Sequence, residues 1–102
     1  MIAARDSEGF LKRLKDWNET TAQQIADDYD ITLSEAHWQV INLVRNYFDE
    51  YGLSPTTRVT VRLLKRSLGT DTGSIYLMKL FGGRPRRALA QIAGLPKPSD
   101  CD

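Results

Sequence analysis

Residues 32–52, TLSEAHWQVINLVRNYFDEYG, decide the fold. Thr32-Leu33-Ser34-Glu35 has the capping-box pattern, in which the Thr hydroxyl accepts from the backbone N–H three residues on while Glu35 reaches back. From there Trp38, Ile41, Val44, Phe48 and Tyr51 recur at three- and four-residue steps, the stripe of an amphipathic helix with one buried face. Gly52, able to take the left-handed conformation, ends it. The pattern predicts a central core helix around which the other segments pack.

Upstream, Asp6 to Trp17 begins acidic and then places Phe10, Leu11, Leu14 and Trp17 at helical spacing, which predicts a short amphipathic helix or turn. Thr20 to about Asp28 reads as a second helix with only Ala22, Ile25 and Ala26 on one side, so weak packing is expected. Downstream, Ser54-Pro55 predicts an N-cap followed by Pro at the first helical position. That helix carries Val59, Leu63, Leu64 and Leu68 inward and Arg58, Arg62, Lys65 and Arg66 outward, and it stops near Gly69. A shorter helix, roughly Ser74 to Leu80, carries Ile75, Leu77, Met78 and Leu80 up to the Gly82-Gly83 turn. Pro85 opens the last helix, with Ala88, Leu89 and Ile92 apolar, and Gly94 closes it. The fold class is therefore all-α, a small orthogonal bundle of five to six helices over residues 1–94.

Residues 95–102, LPKPSDCD, break the periodicity. Two prolines favour extended, polyproline-like geometry, so this segment is expected to stand away from the globule as a semi-stiff arm with Cys101 at its tip. A lone cysteine is more often a small buried apolar residue. Here its place beyond Pro96-Lys97-Pro98 leaves nothing adjacent to bury it, and a tethered exposed thiol suits group transfer.

Composition removes other classes of function. At 102 residues and 41% hydrophobic content the chain fits one domain with a small core. No apolar run approaches the roughly 20 residues of a membrane span, and MIAARDSEGF lacks a secretory-type apolar stretch, so a cytoplasmic protein is the expectation. Fourteen Lys and Arg against 13 Asp and Glu give a net charge of +1, too little field for strong nucleic-acid binding. One Cys and one His, His37, fall short of a structural zinc set and leave no intramolecular disulfide. No metal or organic cofactor is called for, and no catalytic-triad spacing or phosphate-cradling loop is present.

The stretch LFGGRPRRALAQIAGLPKPSDC, Leu80 to Cys101, resembles the DsrC/TusE sulfur-carrier proteins, most specifically in IAGLPKP followed by a penultimate Cys. DSEGFL, Trp17, LSEAHW, Arg45 to Tyr51, SPTTR and SIYLMKLF extend the similarity over nearly the whole chain from Asp6. The resemblance implies that Cys101 accepts persulfide sulfur from a TusBCD-like donor complex and passes it to a tRNA 2-thiouridylase, a sulfurtransferase role in tRNA thiolation. Gly94, Leu95, Pro96, Lys97 and Pro98 would form hinge and arm. Arg84 and Arg87 are candidate docking residues, against the plainer reading of a solvated charged face. Some relatives carry a second cysteine eleven positions before the penultimate one, where this chain has Ala90, so the single-cysteine TusE-like branch fits better than an internal disulfide. The family's N-terminal β-hairpin is expected to be absent, since five residues precede Asp6. Two other readings stay open: a DsrC-like component or regulator of dissimilatory sulfur metabolism partnering sulfite reductase, and a small helical DNA-binding regulator using Arg58, Arg62, Lys65 and Arg66.

Asp100, Asp102 and the terminal carboxylate surround Cys101 with like charge and disfavour its thiolate. Alkylation of the free protein at neutral pH is accordingly expected to be slow and to quicken in Asp100→Asn or Asp102→Asn; equal rates would remove the electrostatic argument.

Overall fold

The computed structural model describes residues 3–69 and 73–100. Its α-helices are α1, Glu19–Asp27; α2, Glu35–Tyr51; α3, Thr57–Leu68; α4, Ser74–Phe81; and α5, Pro85–Ile92, preceded by a 3-10 turn at Leu14–Asp16. The all-α expectation holds, with no strand among the described residues. Val40, Ile41 and Val44 of α2, Leu64 of α3, Leu77 and Phe81 of α4 and Ile92 of α5 meet in one core. No helix among the described residues is long and apolar enough to cross a membrane.

Asp6 to Trp17 takes the turn option rather than a longer helix. An isolated antiparallel bridge pairs Arg5 with Leu11, and the Asp6 carboxylate accepts the amides of Glu8 at 2.9 Å and Phe10 at 3.0 Å. Those side-chain bonds compete with helix formation, as a short acidic residue does at a turn. The result buries Phe10 and Leu11 in the core.

Helix α1, read as weakly packed, is not. Asn18 caps it, accepting from Thr21 N at 2.8 Å, and its Ala22, Ile25 and Ala26 are buried where α1 meets α5. The two alanines that looked too small to hold a helix leave little bulk between α1 and the alanine-containing α5, and close packing supplies the contact that side-chain size does not.

The start of α2 lies two residues further on than the Thr32 capping box suggests. Ser34 is the N-cap, and His37 stands where a capping box places Glu or Gln, its Nδ1 accepting from the Ser34 amide at 3.0 Å. His37 Nε2 lies 2.7 Å from the Leu80 carbonyl. A carbonyl only accepts, so Nε2 carries the proton and Nδ1 is free to accept; His37 thus pins α2 to the end of α4 as one neutral tautomer. At the other end Gly52 adopts φ +73° as expected, but Tyr51 is 57% exposed rather than core.

Helix α3 begins two residues later than Ser54-Pro55 implies. Thr56 is the cap, its hydroxyl accepting from Val59 N at 3.3 Å. Ser54 and Pro55 are instead buried, because the chain's last segment lies across them. Residues 95–100 do not stand clear of the globule: Leu95 and Pro98 are buried, and the segment runs back along the body toward the N-terminus of α3.

If α1 and α5 pack closely, Ala26→Leu will overfill the contact and lower stability by about 1–3 kcal/mol, read as a lower denaturant midpoint in equilibrium unfolding. An unchanged midpoint would show that the two helices leave room between them.

Candidate functional site

The tail leaves α5 through a fixed turn. Gly94 N–H reaches Gln91 O at 3.1 Å and Leu95 N–H reaches Ala90 O at 2.9 Å, the paired bonds of a Schellman motif, with Gly94 left-handed at φ +72°. Leu95 then buries its side chain against the core. Sterics demand glycine at 94 as strongly as dihedral preference does, since a Cβ there would lie 2.3 Å from Trp17 Cδ1.

Trp17 is held in that position from both sides. Its indole Nε1–H donates to Ile92 O at 2.8 Å, and the Arg45 guanidinium sits 3.6 Å from its ring centroid. Arg45 also donates to Ala93 O at 2.6 Å. Two side chains from separate elements therefore satisfy carbonyls that the end of α5 would otherwise leave unpaired. Burial lowers the Arg45 pKa, with Asp49 acting in the opposite direction; a guanidinium stays charged through such a change.

Beyond Leu95 the tail is fastened at three points. Ser54 Oγ–H donates to Pro96 O at 2.6 Å. Lys97 Nζ pairs with Glu8 at 2.9 Å, and Asp100 Oδ2 accepts from Thr57 N, the first amide of α3, at 2.9 Å, with Arg86 Nη1 at 3.3 Å. Arg86 also donates to Thr57 Oγ1 at 3.2 Å. Burial pushes the Asp100 pKa up, but the Thr57 amide, the Thr57 hydroxyl and Arg86 together outweigh it and hold the carboxyl below its ordinary value. Its second oxygen, Oδ1, is buried with no hydrogen-bond partner among the described residues.

The candidate residues from the sequence are divided by this geometry. Cys101 lies outside the described residues, while its neighbour Asp100 is fixed at the N-terminus of α3. Gly94, Leu95, Pro96, Lys97 and Pro98 form one continuous path to it. Arg87 is committed to the N-terminal turn, donating to Glu8 O at 2.9 Å alongside Gln91 Nε2, also at 2.9 Å, whereas Arg84 is exposed. Ala90 is buried in the crevice that Leu95, Pro98 and Arg86 line. On α3, Arg58, Arg62, Lys65 and Arg66 are exposed, the second and fourth edging a groove of about 360 Å³ against Tyr47 and Tyr51 of α2. Sequence reasoning missed Trp17, Arg45, Ser54, Thr57 and Arg86 as tail-positioning residues. All five lie in stretches that carry the family resemblance, but no local pattern ties any of them to the tail.

The family model described as "DsrC like protein" matches residues 2–101. The sulfurtransferase TusE of Sodalis glossinidius is 45% identical over 97 residues, covering 94% of this chain and 90% of the relative. That of Buchnera aphidicola from Acyrthosiphon pisum is 42% identical over 98 residues, covering 95% and 86%. Among solved structures, the oxidized gamma-subunit of the dissimilatory sulfite reductase (DsrC) from Archaeoglobus fulgidus superimposes with a TM-score of 0.86 at 36% identity, covering 98% of this chain and 92% of that one.

Gly94→Ala adds a Cβ into the Trp17 ring at a left-handed φ and is expected to cost about 3 kcal/mol in denaturant unfolding. Gly83→Ala, where a Cβ meets nothing within 4 Å, serves as the near-neutral control; equal effects would mean that the Trp17 contact does not set the turn.

Proposed function

The chain belongs to the DsrC-like family and is a sulfurtransferase, and from that premise we propose that it works as a covalent relay with Cys101 as its sulfur-carrying group. The Cys101 thiolate attacks the terminal sulfur of a donor persulfide. A Cys101–sulfur bond forms, the donor's S–S bond breaks, and the electron pair leaves on the donor thiolate. An acceptor thiolate then attacks the same terminal sulfur and Cys101 departs as thiolate, so neither step needs an external oxidant or reductant. The observation that carries this reading is that the family match runs to residue 101, the only cysteine of the chain.

The arm from Gly94 to Pro98 conveys that thiol between partners. Our reading takes a TusBCD-like complex as donor and a tRNA 2-thiouridylase as acceptor, with the relay acting in tRNA thiolation in the cytoplasm; the similarity to TusE sulfurtransferases supports it. Arg84, exposed at the start of α5, is a docking candidate for such a partner. Arg87 faces the chain's own Glu8 and serves the body of the protein first. A sulfite-reductase role fits the DsrC structural relative, and Ala90 weighs against the version of that role that needs a second thiol beneath the tail.

Mass spectrometry after incubation with a persulfide donor is expected to show one added sulfur atom on the wild-type chain and none on Cys101→Ser. A wild-type chain that stays unloaded under conditions that load other carriers would overturn the reading.

A further inference from the structure

We infer that Asp100 is a positioning residue for the sulfur relay: its carboxylate, seated on the first amide of α3 and on Arg86, latches the tail in a retracted position, and hand-over of sulfur requires the latch to open. This rests on the Cys101 reading above.

The latch is built from parts of the body that do not themselves move with the tail. Thr57 opens α3, where unpaired amides and the helix dipole favour an anion. Arg86 reaches the same oxygen from α5 and also binds Thr57 Oγ1, so carboxylate, hydroxyl and guanidinium close a three-membered cluster. Asp100 is the residue next to the thiol, and fixing it restricts where the sulfur can be presented more tightly than any contact further up the tail.

The same contacts are suited to release. Asp100 and Arg86 are each about one-third exposed, at 34% and 36%, and Lys97 and Glu8 are more exposed still, so both ion pairs are of the weak, solvent-screened kind. Ser99 between the anchors is exposed, and the buried Asp100 Oδ1 without a partner among the described residues takes part of the gain from docking away. Leu95, by contrast, is fully buried at the Schellman turn, which makes it the fixed end. Undocked, residues 96–101 can extend up to about 20 Å from the fixed end at Leu95. A partner that offers a cation to Asp100, or an anion to Arg86 and the Thr57 amide, would open the latch as it binds.

Electrostatics and latching predict opposite signs for some variants, which makes the proposal testable. Thr57→Pro removes both the amide and the hydroxyl without changing charge. Proline is favoured at the first position of a helix, and Thr56 already has the extended ψ of 171° that a following proline requires. Arg86→Gln removes the cation instead. If the latch holds, 15N relaxation will give Ser99 and Asp100 order parameters near those of rigid backbone, about 0.85, in the wild type and below about 0.6 in both variants. The limiting alkylation rate of the Cys101 thiolate with a bulky maleimide, separated from its pKa by a full pH–rate profile, will rise severalfold in both. Charge effects alone would leave Thr57→Pro unchanged and slow Arg86→Gln at neutral pH by removing a cation that favours the thiolate.

Unchanged order parameters and unchanged limiting rates in variants with wild-type circular dichroism would overturn the latch. Persulfide loading measured on the same samples separates the two proposals. Loading with no change in tail order leaves the relay standing without the latch, and altered tail order with no loading on any chain overturns the relay and, with it, the role assigned to Asp100.

Discussion

The indole of Trp17 lies where only a glycine can pass. Because residue 94 carries no side chain, the ring seats against the end of α5, its N–H takes the Ile92 carbonyl, and Arg45 covers its other side while binding Ala93. That contact joins the N-terminal turn, the central helix and the last helix at one point. It also decides the direction in which the chain leaves α5. A tail released at this point in another direction would miss Ser54 and Thr57, and every later contact of the segment depends on that first angle.

Charge is used locally in this protein, consistent with its net value of +1. Glu8 stands between Arg87 and Lys97 and ties the N-terminal turn to both α5 and the tail. Asp100 plays the corresponding part at the far end of the tail, with Arg86 and the start of α3. Cations that look like a docking patch along α5 are thus of two kinds: Arg86 and Arg87 hold the chain's own acidic groups, and Arg84 faces solvent. The tail is held by a buried apolar anchor, Leu95, at one end and by more exposed polar contacts at Lys97 and Asp100 at the other, so the polar contacts can exchange while Leu95 stays put.

Much of the helix plan was legible in the residues. The stripe through Ile41 and Val44, the glycine stops at 52 and 69, and Pro85 at the first position of α5 are local signals, each confined to one or two turns, and the structure follows them. The misreadings came where a local signal had a rival partner. Thr32 resembled a cap, but His37 could bond both Ser34 and the distant Leu80 carbonyl. Ser54-Pro55 resembled a helix start, but Ser54 is 42 residues from the Pro96 carbonyl it binds. Ala22 and Ala26 resembled a weak face, because close approach between two helices cannot be seen in either helix alone.

Residue order alone makes this chain all-α, marks it as one of the DsrC-like family, and puts its single thiol in a segment with no helical periodicity. Those features are written in periodicity, in proline and glycine placement and in residue identity, all of which act over short range. Where that segment goes is a matter of packing. Two prolines set its backbone as extended but carry no information about direction, and the choice between standing clear and lying retracted is made by bonds to Glu8, Ser54, Thr57 and Arg86. These residues are distant along the chain and come together only once α2, α3 and α5 have packed.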